Sequence, residues 1–152
     1  MALSLLALLA LVAIVSLPLI EPWLLRRREG RQLQQCSILP EQLHTMMKSG
    51  QRLVIFDIRQ PHDLLAEPKV IPGSRRILLR ELIANPDLFP RNKDAVLYCS
   101  CPGEETSLRA LRRARDLGFL RVKFLKGGMA AWKAGGFPVE SYNRSFRLDT
   151  AS

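Results

Sequence analysis

The first charged residue of this chain is Glu21, and 17 of the 20 residues ahead of it are apolar, the exceptions being Ser4, Ser16 and Pro18. A helix rising about 1.5 Å per residue over such a run reaches across a hydrocarbon core of about 30 Å. Leu and Ala favour helix, and in lipid a helix is the one single segment that satisfies its own backbone. Residues 2–20 are therefore expected to span a membrane, with Pro18 tolerated near the end of the span. Trp23 falls at headgroup level, and Arg26, Arg27, Arg28 and Arg31 supply a positive flank. A cleaved signal peptide is the competing reading. It wants a basic n-region and a small-x-small cleavage site, and Ser16-Leu17-Pro18 is a poor one. Because the positive charge follows the span, the expected topology is single-pass, with the remaining chain in the cytoplasm.

Beyond the arginines there is enough chain for one domain. The expected division is a transmembrane helix over 1–25, a basic juxtamembrane linker over 26–37, a folded domain over 38–140 and a polar tail over 141–152. Residues 32–152 hold 19 basic and 12 acidic side chains, a net charge of +7. Such a balance suits an anionic lipid surface or nucleic acid. The blander expectation is a solvated helix face built from Arg109, Arg112, Arg113 and Arg115. No aromatic interleaving or nucleic-acid motif accompanies them, so no nucleic-acid partner is expected. Three cysteines cannot make a disulfide framework, and Cys99 and Cys101 stand too close to staple anything. A reducing compartment, where thiols do chemistry, fits them better.

The pattern of the body alternates. Leu53-Val54-Ile55-Phe56 and Ala95-Val96-Leu97-Tyr98 are short apolar runs of the kind buried on both faces of a sheet, and Val122 to Leu125 reads as a third strand. Helices are predicted from Pro40 to about Lys48, Gln60 to Glu67, Leu78 to Leu88 with a break at Pro86, about Glu104 to Leu117, and after Gly127-Gly128. Residues 32–38 read as linker, and a short strand is predicted around Ile77. Strands alternating with helices imply an α/β domain with a mostly parallel sheet flanked by helices. Ligands bind such sheets beyond the carboxyl ends of the strands, where Asp57 and Cys99 fall.

Residues 53–64 read LVIFDIRQPHDL and residues 70–74 VIPGS. Residues 95–101 read AVLYCSC, and residues 125–140 read LKGGMAAWKAGGFPVE. Together these stretches resemble the rhodanese family of sulfurtransferases, from about Ile38 to Glu140. They look like that family's strand-Asp-x-Arg and Pro-Gly turn, its cysteine-bearing strand, and its closing Gly-Gly and Trp motif. The resemblance implies a rhodanese-like fold and sulfur transfer through a cysteine persulfide. The family's loop runs six residues from its nucleophilic cysteine and often carries an arginine. Counting forward from Tyr98 makes Cys99 the nucleophile, whereas counting back from Gly118 makes it Cys101, because this loop is two residues longer. Neither count finds the arginine, and Val70 replaces the family's turn histidine.

Sulfur transfer needs a thiolate, and a thiol near pKa 8.5 is mostly protonated at neutral pH. Loop amides and a helix N-terminus can favour the anion without a cationic side chain. The expected loop is therefore Cys99, Ser100, Cys101, Gly103, Glu104, Glu105 and Thr106, with Cys99 as nucleophile and Cys101 as the alternative. Glu104 and Glu105 oppose a thiolate but are ordinary partners of a helix dipole. They disfavour dianionic donors such as thiosulfate, leaving a small or protein-bound persulfide as the expected donor. Cys101 could also resolve a persulfide formed on Cys99. Asp57 and Arg59 are expected to form a structural ion pair near the site, and Trp132 to lie in the core.

No cofactor is expected, and no metal, because Cys36, His44 and His62 lack ligand spacing. A phosphatase reading fails for want of an arginine six residues after either cysteine, where Glu105 and Ser107 stand instead. Two functions remain: a membrane-anchored sulfurtransferase, and a non-catalytic rhodanese-like module that recruits partners at the membrane.

Overall fold

A computed structural model describes residue 31, residues 35–100 and residues 105–143. The expected span over 2–20, with Trp23 and the arginines at 26–28, lies outside the described residues, as do residues 101–104 and 144–152. Among the described residues no helix is long and apolar enough to cross a membrane. Cys36–Ser152 forms a compact unit of its own.

In chain order the elements are β1 (Ser37–Ile38), α1 (Pro40–Lys48), β2 (Leu53–Asp57), α2 (Pro61–Ala66), β3 (Lys69–Val70), β4 (Arg75–Arg76), α3 (Leu79–Ala84), a 3-10 turn (Pro86–Leu88), β5 (Asp94–Tyr98), α4 (Glu105–Asp116), β6 (Val122–Leu125), α5 (Gly128–Ala134) and β7 (Glu140–Ser141). Five strands form one parallel sheet in the order β1-β6-β5-β2-β4. Its three inner strands, β2, β5 and β6, are the three read from the sequence, and the apolar runs of β2 and β5 are what strands covered on both faces require. On one face Ile55, Val96, Tyr98 and Leu125 pack with Leu43 of α1 and with Met129 and Trp132 of α5. On the other, α4 lies over β5 and β6 with Ser107, Ala110, Leu111 and Ala114 turned inward.

Three helices begin with the same local device. The carboxylate or amide oxygen three residues in accepts the backbone N–H just outside the helix: Gln42 for Leu39 at 3.0 Å, Asp63 for Gln60 at 3.3 Å, and Glu81 for Leu78 at 3.1 Å. Two of them also carry proline at the first helical position, where its missing N–H costs nothing.

Four expectations need correction. The linker read over 32–38 ends in β1: the Phe124 N–H donates to the Cys36 carbonyl at 3.1 Å, and Ser37 and Ile38 pair with Phe124 and Leu125. The strand near Ile77 is Arg75–Arg76, paired with Phe56 and Asp57, and Ile77 adds only its N–H to the Asp57 carbonyl. The helix read from Leu78 to Leu88 has its predicted break, with α3 ending at Ala84, but the part from Pro86 to Leu88 is a 3-10 turn rather than α-helix. The tail read from residue 141 begins inside a strand, since Glu140–Ser141 pairs antiparallel with Lys69–Val70.

Candidate functional site

Cys99 directly follows β5, at the carboxyl end of a strand in the middle of the sheet. Its backbone is pinned by α5. The Met129 N–H donates to the Cys99 carbonyl at 3.1 Å. Gly128 makes that approach possible, because a Cβ there would stand 2.1 Å from the same oxygen, and its φ of +55° also disfavours any side chain. The second glycine of the closing motif is thus in contact with the residue that opens the loop.

The Cys99 side chain is buried with the core, at 2% exposure. Ser100 and Glu105 are exposed and Thr106 is half-buried, while Cys101, Gly103 and Glu104 lie outside the described residues. The helix after the loop begins at Glu105 and ends before Gly118, whose φ of +82° is the left-handed turn a helix C-terminus favours. Arg109 is exposed on the helix, as expected of a solvated helix face. Ser107, in the helix's first turn, is 1% exposed, and among the described residues its hydroxyl has no hydrogen-bond partner. A buried hydroxyl left unmet costs stability.

Asp57 and Arg59 form the other half of the strand-end region, and the pair is deeper than an ordinary surface bridge. Both side chains are fully buried, with Arg59 Nη2 2.6 Å from Asp57 Oδ2. Arg59 Nε donates to both carboxylate oxygens at 3.0 and 3.1 Å, and the Arg59 backbone N–H adds a further bond to Oδ1 at 3.0 Å. The remaining guanidinium donors reach the Lys69 carbonyl at 2.7 Å and the Glu67 carbonyl at 3.3 Å. The arginine thereby ties the end of β2 to the connection between α2 and β3.

Sequence reasoning missed the third member. The Tyr98 hydroxyl donates to Asp57 Oδ2 at 3.0 Å, accepts from the Ile71 N–H at 3.3 Å and lies 3.2 Å from Ser74 Oγ. Burial, and then the adjacent carboxylate, push the Tyr98 phenol well above its ordinary pKa, so the proton stays on the phenol. Arg76 approaches the same carboxylate at 3.9 Å and donates to the Asp57 carbonyl at 3.1 Å. A tyrosine within an apolar run gives no sign of such a partner. Only the β2–β5 register, which sets Asp57 beside Tyr98, shows it. The carboxylate, guanidinium and phenol satisfy one another, so their chemistry is that of a clamp holding the strand ends beside the cysteine loop.

Trp132 is fully buried, as expected. Its indole N–H donates to the Pro138 carbonyl at 2.8 Å, and its ring meets Phe137 at 4.9 Å and His44 at 6.0 Å.

Residues 39–135 match the family model described as the rhodanese-like domain. The chain belongs to the rhodanese-like domain family. A sulfurtransferase from Allochromatium vinosum is 25% identical over 99 residues, which cover 65% of this chain and 89% of that protein. The probable adenylyltransferase/sulfurtransferase MoeZ of Mycobacterium tuberculosis is 31% identical over 100 residues, covering 63% of this chain and only 24% of MoeZ. Among solved structures, a rhodanese-related protein from Thermoplasma volcanium superposes with a TM-score of 0.57 at 25% identity, covering 68% of this chain and 96% of that one. In this rhodanese-like domain the predicted α/β architecture, a parallel sheet flanked by helices, is the observed one. Among the described residues no group of three or more His, Cys, Asp and Glu is placed to hold a metal ion.

Proposed function

We propose that this chain is a membrane-anchored sulfurtransferase that passes sulfane sulfur through a cysteine persulfide in the loop between β5 and α4. The observation that carries the reading is a cysteine-bearing strand end at the carboxyl edge of the parallel sheet, backed by the Gly127-Gly128 turn of α5, in a domain with sulfurtransferase relatives. The thiolate attacks the outer sulfur of a small or protein-bound persulfide. A new S–S bond forms on the enzyme, the donor's S–S bond breaks, and the donor leaves as a thiolate. An acceptor thiolate then attacks the outer sulfur of the enzyme persulfide and restores the enzyme thiolate.

Both partners must reach the sulfur in line with the bond being broken. Cys99, at 2% exposure, is poorly placed for that encounter. A count back from Gly118, where the helix ends in its left-handed turn, gives Cys101 the family register. These two facts favour Cys101 as the carrier, with Cys99 as the neighbouring thiol at the strand end. The non-catalytic alternative draws support from the missing loop arginine and from the exposed acid at Glu105.

Intact mass after exposure to cysteine persulfide, polysulfide or thiosulfate tests both points. The full chain is expected to gain one sulfur atom from the persulfide donors and little from thiosulfate. Cys101→Ser is expected to abolish the gain, and Cys99→Ser to keep it. The reverse pattern assigns the carrier to Cys99. No gain from any donor, in a chain that is folded, leaves the recruiting module as the function.

Anchoring rests on the uncharged apolar run over 2–20 and the arginines that come after it. The cytoplasm-facing topology has a direct readout. Protease added to intact cells is expected to leave residues 32–152 whole, and their digestion from outside reverses the orientation. A mature chain beginning near residue 20 replaces the anchor with a signal peptide.

A further inference from the structure

The strands of the parallel sheet all start at one end of the domain, and the cysteine loop lies at the other. A five-residue strand separates the two ends by about 17 Å. Three kinds of segment converge on the starting end: the chain entering β1, the C-terminal turns of the helices that run back from the strand ends, and the connections into β2, β5 and β6. Basic side chains gather there. Lys48 closes α1, and Arg113 and Arg115 occupy the last turn of α4. Arg52 precedes β2, its carbonyl accepting the Asp94 N–H at 3.2 Å. Arg91 lies over the Phe119 ring at 4.8 Å, and Arg121 precedes β6.

Acidic side chains at that end are fewer. Among the described residues Asp94 is engaged by Arg121 at 3.0 Å, and Asp87 and Asp116 are the others. In the sequence by itself the basic residues have no common position, and a solvated helix face was the natural expectation. The topology supplies the position. Residues from two helices and three connections share one end, which is also the end where the chain enters β1 after the apolar run and its arginines at 26–28 and 31.

We infer that this end of the domain is a docking surface for an anionic lipid bilayer. The inference rests on the proposed anchor. Positive side chains spread over one end, beside the point where a membrane-directed segment enters, complement anionic headgroups. They orient the domain with the strand starts on the membrane and the cysteine loop facing away from it, open to donors and acceptors. This orientation stands apart from the sulfur chemistry and does not depend on which cysteine is the carrier.

The full chain, reconstituted in nanodiscs of neutral phosphatidylcholine or of phosphatidylcholine with phosphatidylglycerol, provides the test by hydrogen exchange. Peptides covering residues 91–94 and 112–123 are expected to be protected in the anionic discs and not in the neutral ones. Protection should fade in 1 M salt, where charge attraction is screened to about 3 Å. It should also be lost in Arg52→Glu/Arg113→Glu/Arg115→Glu, while peptides of β2 keep their wild-type exchange and so report an intact fold. Equal exchange in both lipids overturns the inference. So does protection that an RNA oligonucleotide produces in neutral discs but anionic lipid does not. A chain that fails to enter discs at all refutes the anchor, and sedimentation with anionic against neutral vesicles then decides the surface: selective binding supports it and equal binding sinks it.

Discussion

Replacing Asp57 with Ala is expected to cost about 3–5 kcal/mol, the usual effect of leaving a buried charge without its partner. That is a large share of the roughly 5–15 kcal/mol that holds a domain of this size together. The magnitude reflects what the carboxylate faces. It is fully buried, it is among the described residues the sole carboxylate bridged to the equally buried Arg59, and it accepts the Tyr98 hydroxyl. Its loss strands a guanidinium, whose other bonds go to the carbonyls of Glu67 and Lys69. The double change Asp57→Ala/Arg59→Met should cost less than the two single changes added together, because it removes the orphaned charge as well. Denaturant unfolding followed by circular dichroism measures all three variants. A single Asp57→Ala loss below about 1 kcal/mol, the scale of an exposed pair, would mean that the pair is solvated.

The second large effect belongs to Trp132. Truncation to Ala is expected to destabilise by about 3–5 kcal/mol, the range for a buried aromatic. The ring fills the space between α1, α5 and the segment after α5, and its N–H meets the Pro138 carbonyl. Trp132→Phe keeps much of the volume but leaves that carbonyl without its donor, so a smaller loss is expected. Neither change should alter sulfur uptake under conditions where the variant stays folded, since the ring lies on the core side of α5. A folded Trp132→Ala protein of unchanged stability would place the indole in solvent, contrary to its full burial.

The elements legible in the sequence share a physical trait. Leu53–Asp57 and Asp94–Tyr98 are covered on both faces, so burial writes most of each as an apolar run, and Val122–Leu125 is buried at every position but Lys123. The short edge pieces carry no such record. Ser37–Ile38, Arg75–Arg76 and Glu140–Ser141 are two residues each, and they are strands because a neighbour's backbone groups need partners. Two arginines in sequence cannot announce a strand. The same division runs through the site. Asp57 and Arg59 are two residues apart, and their pairing is local enough to read. Tyr98 lies 41 residues from the carboxylate it serves, and that meeting exists only once β2 and β5 are in register. Cys99 was readable as a strand-end residue. Its burial was not, because it depends on elements such as α5 that close over the strand end from distant parts of the chain.

The way the chain enters the domain has a mechanical consequence. Its first sheet contact is β1, a two-residue edge strand whose carbonyls at Cys36 and Ile38 accept the Phe124 and Lys126 amides at 3.1 and 2.9 Å. Tension on the segment ahead of Cys36 loads those few bonds before any others. β5, which delivers the cysteine loop, is shielded from that pull by β6. A tug on that segment therefore falls first on an edge strand, while the strand that carries the cysteine loop stays in register in the middle of the sheet.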